Sequence, residues 1–154
     1  MINSIKGKPR AGWPETFEVK WDFSPENIYF CDDGADPNDY QLGEYLFGEA
    51  NLAEIVELLH GHSRRESLWG VSDDKVVRAI MHWSNGGLMT PPLLSVNLGC
   101  LVVTGGNNRI AICREDGQPR LPFLYLAADE DRFVKKLKSF SSTINIVSTL
   151  KVEN

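Results

Sequence analysis

Cys100-Leu101-Val102-Val103-Thr104-Gly105-Gly106-Asn107-Asn108-Arg109 is the stretch whose reading decides the fold. An apolar, β-type run (Cys100 to Val103) leads into two glycines and two short polar residues. Arg109 follows, and then a helical run from Ile110 to Glu115. Gly117, Pro119 and a second apolar run, Leu121 to Leu126, come next. The glycines permit a tight turn and close backbone approach, and Asn107 or Asn108 is suited to cap the helix. Strand, Gly-Gly, polar pair, Arg and helix in that order build an anion site. The unbonded N–H groups and the positive end of the helix dipole face the same point as the Arg109 guanidinium, and phosphate is its natural occupant. The competing reading is a plain hairpin-to-helix turn with Arg109 in a surface ion pair.

Working outward, Leu93 to Val96, Asn97-Leu98-Gly99 and Cys100 to Thr104 read as a β-hairpin. Before it, Ser72-Asp73-Asp74 places a cap and two acids at the start of a helix. Its apolar face is Val76, Val77, Ile80, Met81 and Trp83, and Asn85-Gly86-Gly87 stops it. Asn51-Leu52-Ala53-Glu54 has capping-box spacing, with Leu52, Ile55, Val56 and Leu59 at helical intervals, so a helix ending near Gly61 is expected. Glu26 to Cys31 reads as a strand and Asp32 to Asn38 as a loop. Beyond the motif, Asp129 to Phe140 reads as a helix with Phe133, Val134, Leu137 and Phe140 inward, and Ile144 to Leu150 as a last strand. The fold class is therefore α+β, with strands and helices interleaved around one sheet.

The chain has 154 residues, enough for one domain with a real core, and 42% hydrophobic content is ordinary globular composition. The net charge of −5 argues against a dedicated duplex-DNA clamp. The charges are segregated: Lys75, Arg78, Arg64, Arg65, Arg109 and Arg114 lie centrally, while Asp32, Asp33, Asp36, Asp39 and Glu44 crowd the first third. Cys31, Cys100 and Cys113 form no metal pattern, so buried free thiols are expected. A polar start with Lys6, Lys8 and Arg10, and no long apolar run, gives the expectation of a cytoplasmic protein with no membrane partner.

Between Asp73 and Leu126 the order of motifs resembles the ParB/sulfiredoxin superfamily. It reads D-K-V-V-R-A-I-M-H-W, then G-G-L-M-T-P-P-L-L-S-V, then L-V-V-T-G-G-N-N-R-I-A-I-C-R-E-D-G, then L-P-F-L-Y-L, about a third of the chain. The resemblance implies a single ParB/sulfiredoxin-like domain over 27–154, a small mixed sheet with a hairpin and flanking helices, behind an irregular N-terminal arm over 1–26 that docks through its aromatics. In sulfiredoxins the turn reads Gly-Gly-Cys-His-Arg, and its cysteine does the chemistry. Asn107 stands at the cysteine position and has no thiolate, so sulfinic-acid reduction is not expected. The cradle of Gly105, Gly106 and Arg109 survives. Sulfiredoxins also contact nucleotide through a Lys on the preceding helix and residues three and seven further on. Lys75 matches the Lys; Arg78 and His82 fall at the other two positions with different chemistry, and the spacing puts all three on one helix face. In partition ParB proteins the turn resembles Gly-Glu-Arg-Arg and holds CTP. Arg109 fits its last Arg, but too little chain follows for their DNA-binding domain.

Two functions from different classes follow. The first is a nucleotide-binding protein that hydrolyses ATP, with DNase activity alongside; the resemblance leaves open two branches of similar size, stand-alone amino-acid kinases and plasmid fertility-inhibition proteins with ATPase and DNase activity. Gly105, Gly106, Asn107, Asn108 and Arg109 hold phosphate, flanked by Lys75, Arg78 and His82. Hydrolysis would require a carboxylate to hold Mg²⁺ or orient the nucleophile, and Asp32 and Asp33 are the best placed, ahead of Glu44. The second is a non-catalytic interaction protein, a fertility-inhibition or immunity factor that blocks a protein partner. DNA remains a third partner class. His60-Gly61-His62 has metal-compatible spacing without the accompanying ligands of a standard site.

Overall fold

The computed structural model describes residues 5–23, 44–61 and 67–149 of the chain. The expected strand at Glu26 to Cys31 and the acidic loop with Asp32 and Asp33 lie outside them, as do Cys31, His62, Arg64 and Arg65.

Among the described residues the order is β1 (Glu44–Asn51), α1 (Leu52–Leu58), α2 (Asp73–Ser84), β2 (Leu93–Asn97), β3 (Cys100–Gly105), α3 (Asn107–Asp116), β4 (Arg120–Leu126), α4 (Glu130–Lys136) and β5 (Ser141–Thr149). The strands form one sheet in the order β3-β2-β4-β1-β5. Pairing is antiparallel except at β2–β4, where Leu93 meets Leu124 in parallel, so the sheet is mixed and the chain is an α+β domain as expected.

An interior strand of the sheet comes from a segment that the sequence reading left without an assignment. Glu44-Tyr45-Leu46-Phe47-Gly48-Glu49-Ala50 runs between β4 and β5 and pairs with both. Its buried Tyr45 and Phe47 carry the period-2 signal that marks a strand. Gly48 is required by packing: a Cβ there would lie 2.7 Å from the Phe140 ring and 2.9 Å from Tyr125.

Alternation along β4 divides the core. Leu121, Phe123 and Tyr125 join Ala50 and the buried faces of the helices in one cluster. Leu124 and Phe47 are equally buried but belong to the other side of the sheet, where Phe23 meets Phe47 edge-on at 5.0 Å. The helices add Leu52 and Ile55 of α1, Val76, Val77, Ile80 and Trp83 of α2, Ile110 and Ile112 of α3, and Phe133 of α4.

The N-terminal segment docks through its aromatics. Trp13 and Phe17 are buried, and Phe17 and Trp21 each meet Trp83 edge-on, at 5.9 and 5.3 Å. The Trp83 indole donates to the Lys20 carbonyl at 2.8 Å. The Arg10 guanidinium lies over the Trp13 and Phe17 rings and pairs with Asp116 at the end of α3 at 2.6 Å. Arm and helices therefore share one core.

Several local expectations are corrected. α4 ends at Lys136 because Leu137 turns extended, and Val134 is 55% exposed instead of facing inward. Phe133 and Leu137 alone of the helix pattern reach full burial, and Phe140 packs from the following turn. α1 stops at Leu58, short of Gly61. Asn51 caps α1 as expected, accepting from the Ala53 and Glu54 amides. The reciprocal half of the capping box is not made by Glu54; the Asn51 amide donates to the Ser139 hydroxyl at 2.8 Å instead. Glu54 turns outward to accept from the Ser139 hydroxyl at 2.5 Å and from the Lys138 and Ser139 amides. Ser72 holds the cap position of α2 in a left-handed conformation, with no side-chain cap bond.

Candidate functional site

β3 delivers the chain to Gly105, Gly106 turns it, and α3 starts directly at Asn107. The expected asparagine cap is corrected: Gly106 is the N-cap, and Asn107 and Asn108 occupy the first helical turn. The reason is steric as well as conformational. Gly106 has φ +110, open to glycine and strained for any other residue. A Cβ there would also sit 2.5 Å from Pro92 Cβ and 2.7 Å from Pro92 Cα, in backbone that has no room to move. A capping side chain cannot fit, so the turn ends in bare backbone at the helix's positive end. The other end closes on Gly117, whose φ of +78 lets its own amide bond Arg114 and the Gln118 amide bond Cys113.

Arg109 is fully buried, at 0% exposure. Its guanidinium folds back beneath the turn. Nη2 would lie 2.9 Å from a Cβ on Gly106, and Nη1 donates to the Thr90 carbonyl. Asn108 is buried too, so Asn107 is the half-exposed side chain of the five. The five residues of the turn are contiguous in space, but Arg109 lies inside it on the Thr90 carbonyl and is not presented at the surface beside Asn107. The clefts of 660, 440 and 470 Å³ at the described surface have no residue of the turn in their walls. Cys113, one turn further along α3, is buried; burial first, then the Asp116 charge, pushes its thiol above the usual cysteine range, against the lowering effect of Arg109. Such a thiol is not a nucleophile near neutral pH. Cys100 is half-buried, short of the full burial expected.

The polar face of α2 is present but divided. Lys75 is half-buried and Arg78 exposed, and neither makes an ion pair among the described residues. They line a polar cleft of 470 Å³ at the head of the helix. His82, two turns on, is exposed and bonds the Leu88 carbonyl through Nε2 at 2.8 Å, its ring packed on Gly87. Leu88 belongs to the segment that continues to Thr90 and Pro92 under the α3 turn. His82 therefore marks the end of α2 nearer the turn, and Lys75 lies about 10 Å away along the helix at 1.5 Å per residue. α2 packs against α3, and the α2 residues in the shared core are Val76, Val77, Ala79, Ile80 and Trp83 rather than Lys75, Arg78 and His82.

Among the described residues there is no group of three or more His, Cys, Asp or Glu arranged to hold a metal ion. Asp32 and Asp33 lie outside those residues. No described helix is long and apolar enough to cross a membrane. In comparison with known proteins, no family model matches the chain, and neither does a curated protein or a solved structure.

Proposed function

We propose that this chain is a nucleotide-binding domain of the ParB/sulfiredoxin type, which takes phosphate at the head of α3. One observation carries the reading: a strand runs into a glycine that cannot accept a side chain, and a ten-residue helix starts there with its first turn uncapped by any side chain at Gly106. The Arg109 guanidinium lies under the same glycine and adds positive charge in a low-dielectric setting. Lys75 and Arg78 extend the positive face along α2, with the polar His82 further along the same helix. ATP hydrolysis, with nuclease activity alongside, is the concrete form of the proposal, and Asp32 and Asp33 are the carboxylates that would hold Mg²⁺. Asn107, standing where a sulfiredoxin has its cysteine, supplies no thiolate, so sulfinic-acid reduction is not part of it.

The test is calorimetric titration with ATP, ADP and CTP, with and without Mg²⁺, on the wild type and on Asn107→Asp. A carboxylate in the first turn favours the helix dipole and opposes phosphate. The variant should melt no lower than the wild type and bind at least about tenfold more weakly. Equal affinity in the two proteins overturns the assignment of the turn. Absence of binding by the wild type to all three nucleotides overturns the function.

A second reading, the non-catalytic interaction protein, is favoured by the burial of Arg109 against the Thr90 carbonyl, a position that also suits a purely structural pin. Nucleotide bound without turnover, or no nucleotide bound by a fully folded chain, is its expected outcome.

A further inference from the structure

We propose that β5 is a self-association edge, on which a second copy of this chain adds its own β5 in antiparallel pairing about a twofold axis at Asn145. The sheet has two edges, β3 and β5. The β3 edge is taken up in part by the chain leaving α1: Leu59 bridges Leu101 in parallel, and the His60 amide donates to the Leu101 carbonyl at 2.8 Å. Outside β5 no strand follows among the described residues. The N–H and C=O groups along such an edge are a template for a further strand. Protection by residue type is also missing, since Ser141-Ser142-Thr143-Ile144-Asn145-Ile146-Val147-Ser148-Thr149 holds neither a charge nor a proline. The strand does bulge. Its nine residues lie opposite the six of β1 from Glu44 to Glu49, with register shifts on both sides of the Phe47–Ile144 pair. Bulged residues are left unpaired by the neighbouring strand, so β1 does not use all of the β5 backbone. The twist that a bulge adds limits a new ladder to a short one.

The sequence of β5 names the partner. Read outward from Asn145 in both directions, it repeats itself: Ile144 and Ile146, Thr143 and Val147, Ser142 and Ser148, Ser141 and Thr149. Antiparallel self-pairing centred on Asn145 sets the members of each of these pairs opposite each other across the axis. Ile meets Ile, Thr meets the equally β-branched Val, and Ser meets Ser or Thr, the kinds of cross-strand pair that stabilise a sheet. Asn145 meets its own twin, and an amide that both donates and accepts is complementary to itself. No like charges are brought together. A twofold contact of this kind closes at two copies, because each β5 uses the other's outer edge. β3, which leads into the α3 turn, is the opposite edge of the sheet, so pairing through β5 does not depend on the nucleotide reading.

Sedimentation velocity over a wide range of protein concentration is the test, on the full chain and without nucleotide. The wild type should pass from one copy to two as concentration rises. Asn145→Lys and Asn145→Glu each place two like charges on the axis and should stay monomeric where the wild type is dimeric. An equimolar mixture of the two variants sets Lys opposite Glu and should recover the dimer. A monomeric wild type at every concentration, a dimer of Asn145→Lys alone, or a mixture of folded variants that stays monomeric overturns the proposal. Asn145→Cys keeps the question open to measurement if the charged variants lose their circular dichroism. Under mild oxidation it should give a disulfide-linked dimer. Leu98→Cys, at the 95% exposed tip of the hairpin on the other edge, should give far less. Equal cross-linking of these two variants overturns pairing at Asn145.

Discussion

Gly106 satisfies two demands that no other residue meets together: a backbone angle in the left-handed region and contact with Pro92 where a Cβ would have to be. Gly106→Ala should therefore cost about 3 kcal/mol in urea unfolding, strain and overlap combined. A loss below about 1 kcal/mol would mean that the turn relaxes and does not fix the start of α3. Arg109 illustrates the difference between residue type and residue role. Its place in the motif is legible, but its burial depends on Thr90 and Pro92, which reach the turn from the far side of the hairpin.

Elements end where short-range chemistry says so and face where long-range packing says so. The hairpin between β2 and β3 turns on Leu98 and Gly99, both with positive φ, +52 and +80. Positive φ at both central residues is the pattern of a type I′ turn, which favours Asn-Gly. Leu98 is 95% exposed and contributes no core packing. Leu98→Asn should raise stability by about 0.5–1 kcal/mol, read as an increase in melting temperature. A drop instead would show that Leu98 packs in solution. At α1, burial alone would raise the Glu54 carboxyl, but hydrogen bonds from the Ser139 hydroxyl and from the Lys138 and Ser139 amides outweigh it and hold the group below the usual glutamate range. A carboxyl depressed by folding contributes stability above its unfolded value, about 4.3, and loses it as pH falls through the lower folded value. Stability should fall on that acid side in the wild type, and Glu54→Gln should flatten this limb of the profile while lowering the plateau. Unfolding curves from pH 7 to pH 3 test it, and parallel profiles for the two proteins would contradict the assignment.

At the scale of the molecule the arm is structural. Phe17 is buried between Trp13 and Trp83 and lies under Arg10, which ties it to the end of α3. Phe17→Ala removes a ring from the shared cluster and should cost about 3–4 kcal/mol. A change under about 0.5 kcal/mol would make the arm an appendage.

Local order determined the strand–glycine–helix motif, the hairpin, the central helices and the mixed α+β class, because turn glycines, caps and apolar spacing act over a few residues. It did not reveal β1, whose Tyr-Leu-Phe run is short and whose place between β4 and β5 depends on partners far along the chain, from Arg120 onward. It named Gly105 to Arg109, Lys75, Arg78 and His82 as a set. Only tertiary structure decided that Arg109 is inside, that His82 holds the Leu88 carbonyl, and that Lys75 and Arg78 share a cleft with Lys6. Spacing fixes which face of an element a residue occupies. What that face meets is set by the packing of segments distant in sequence, which local chemistry does not encode.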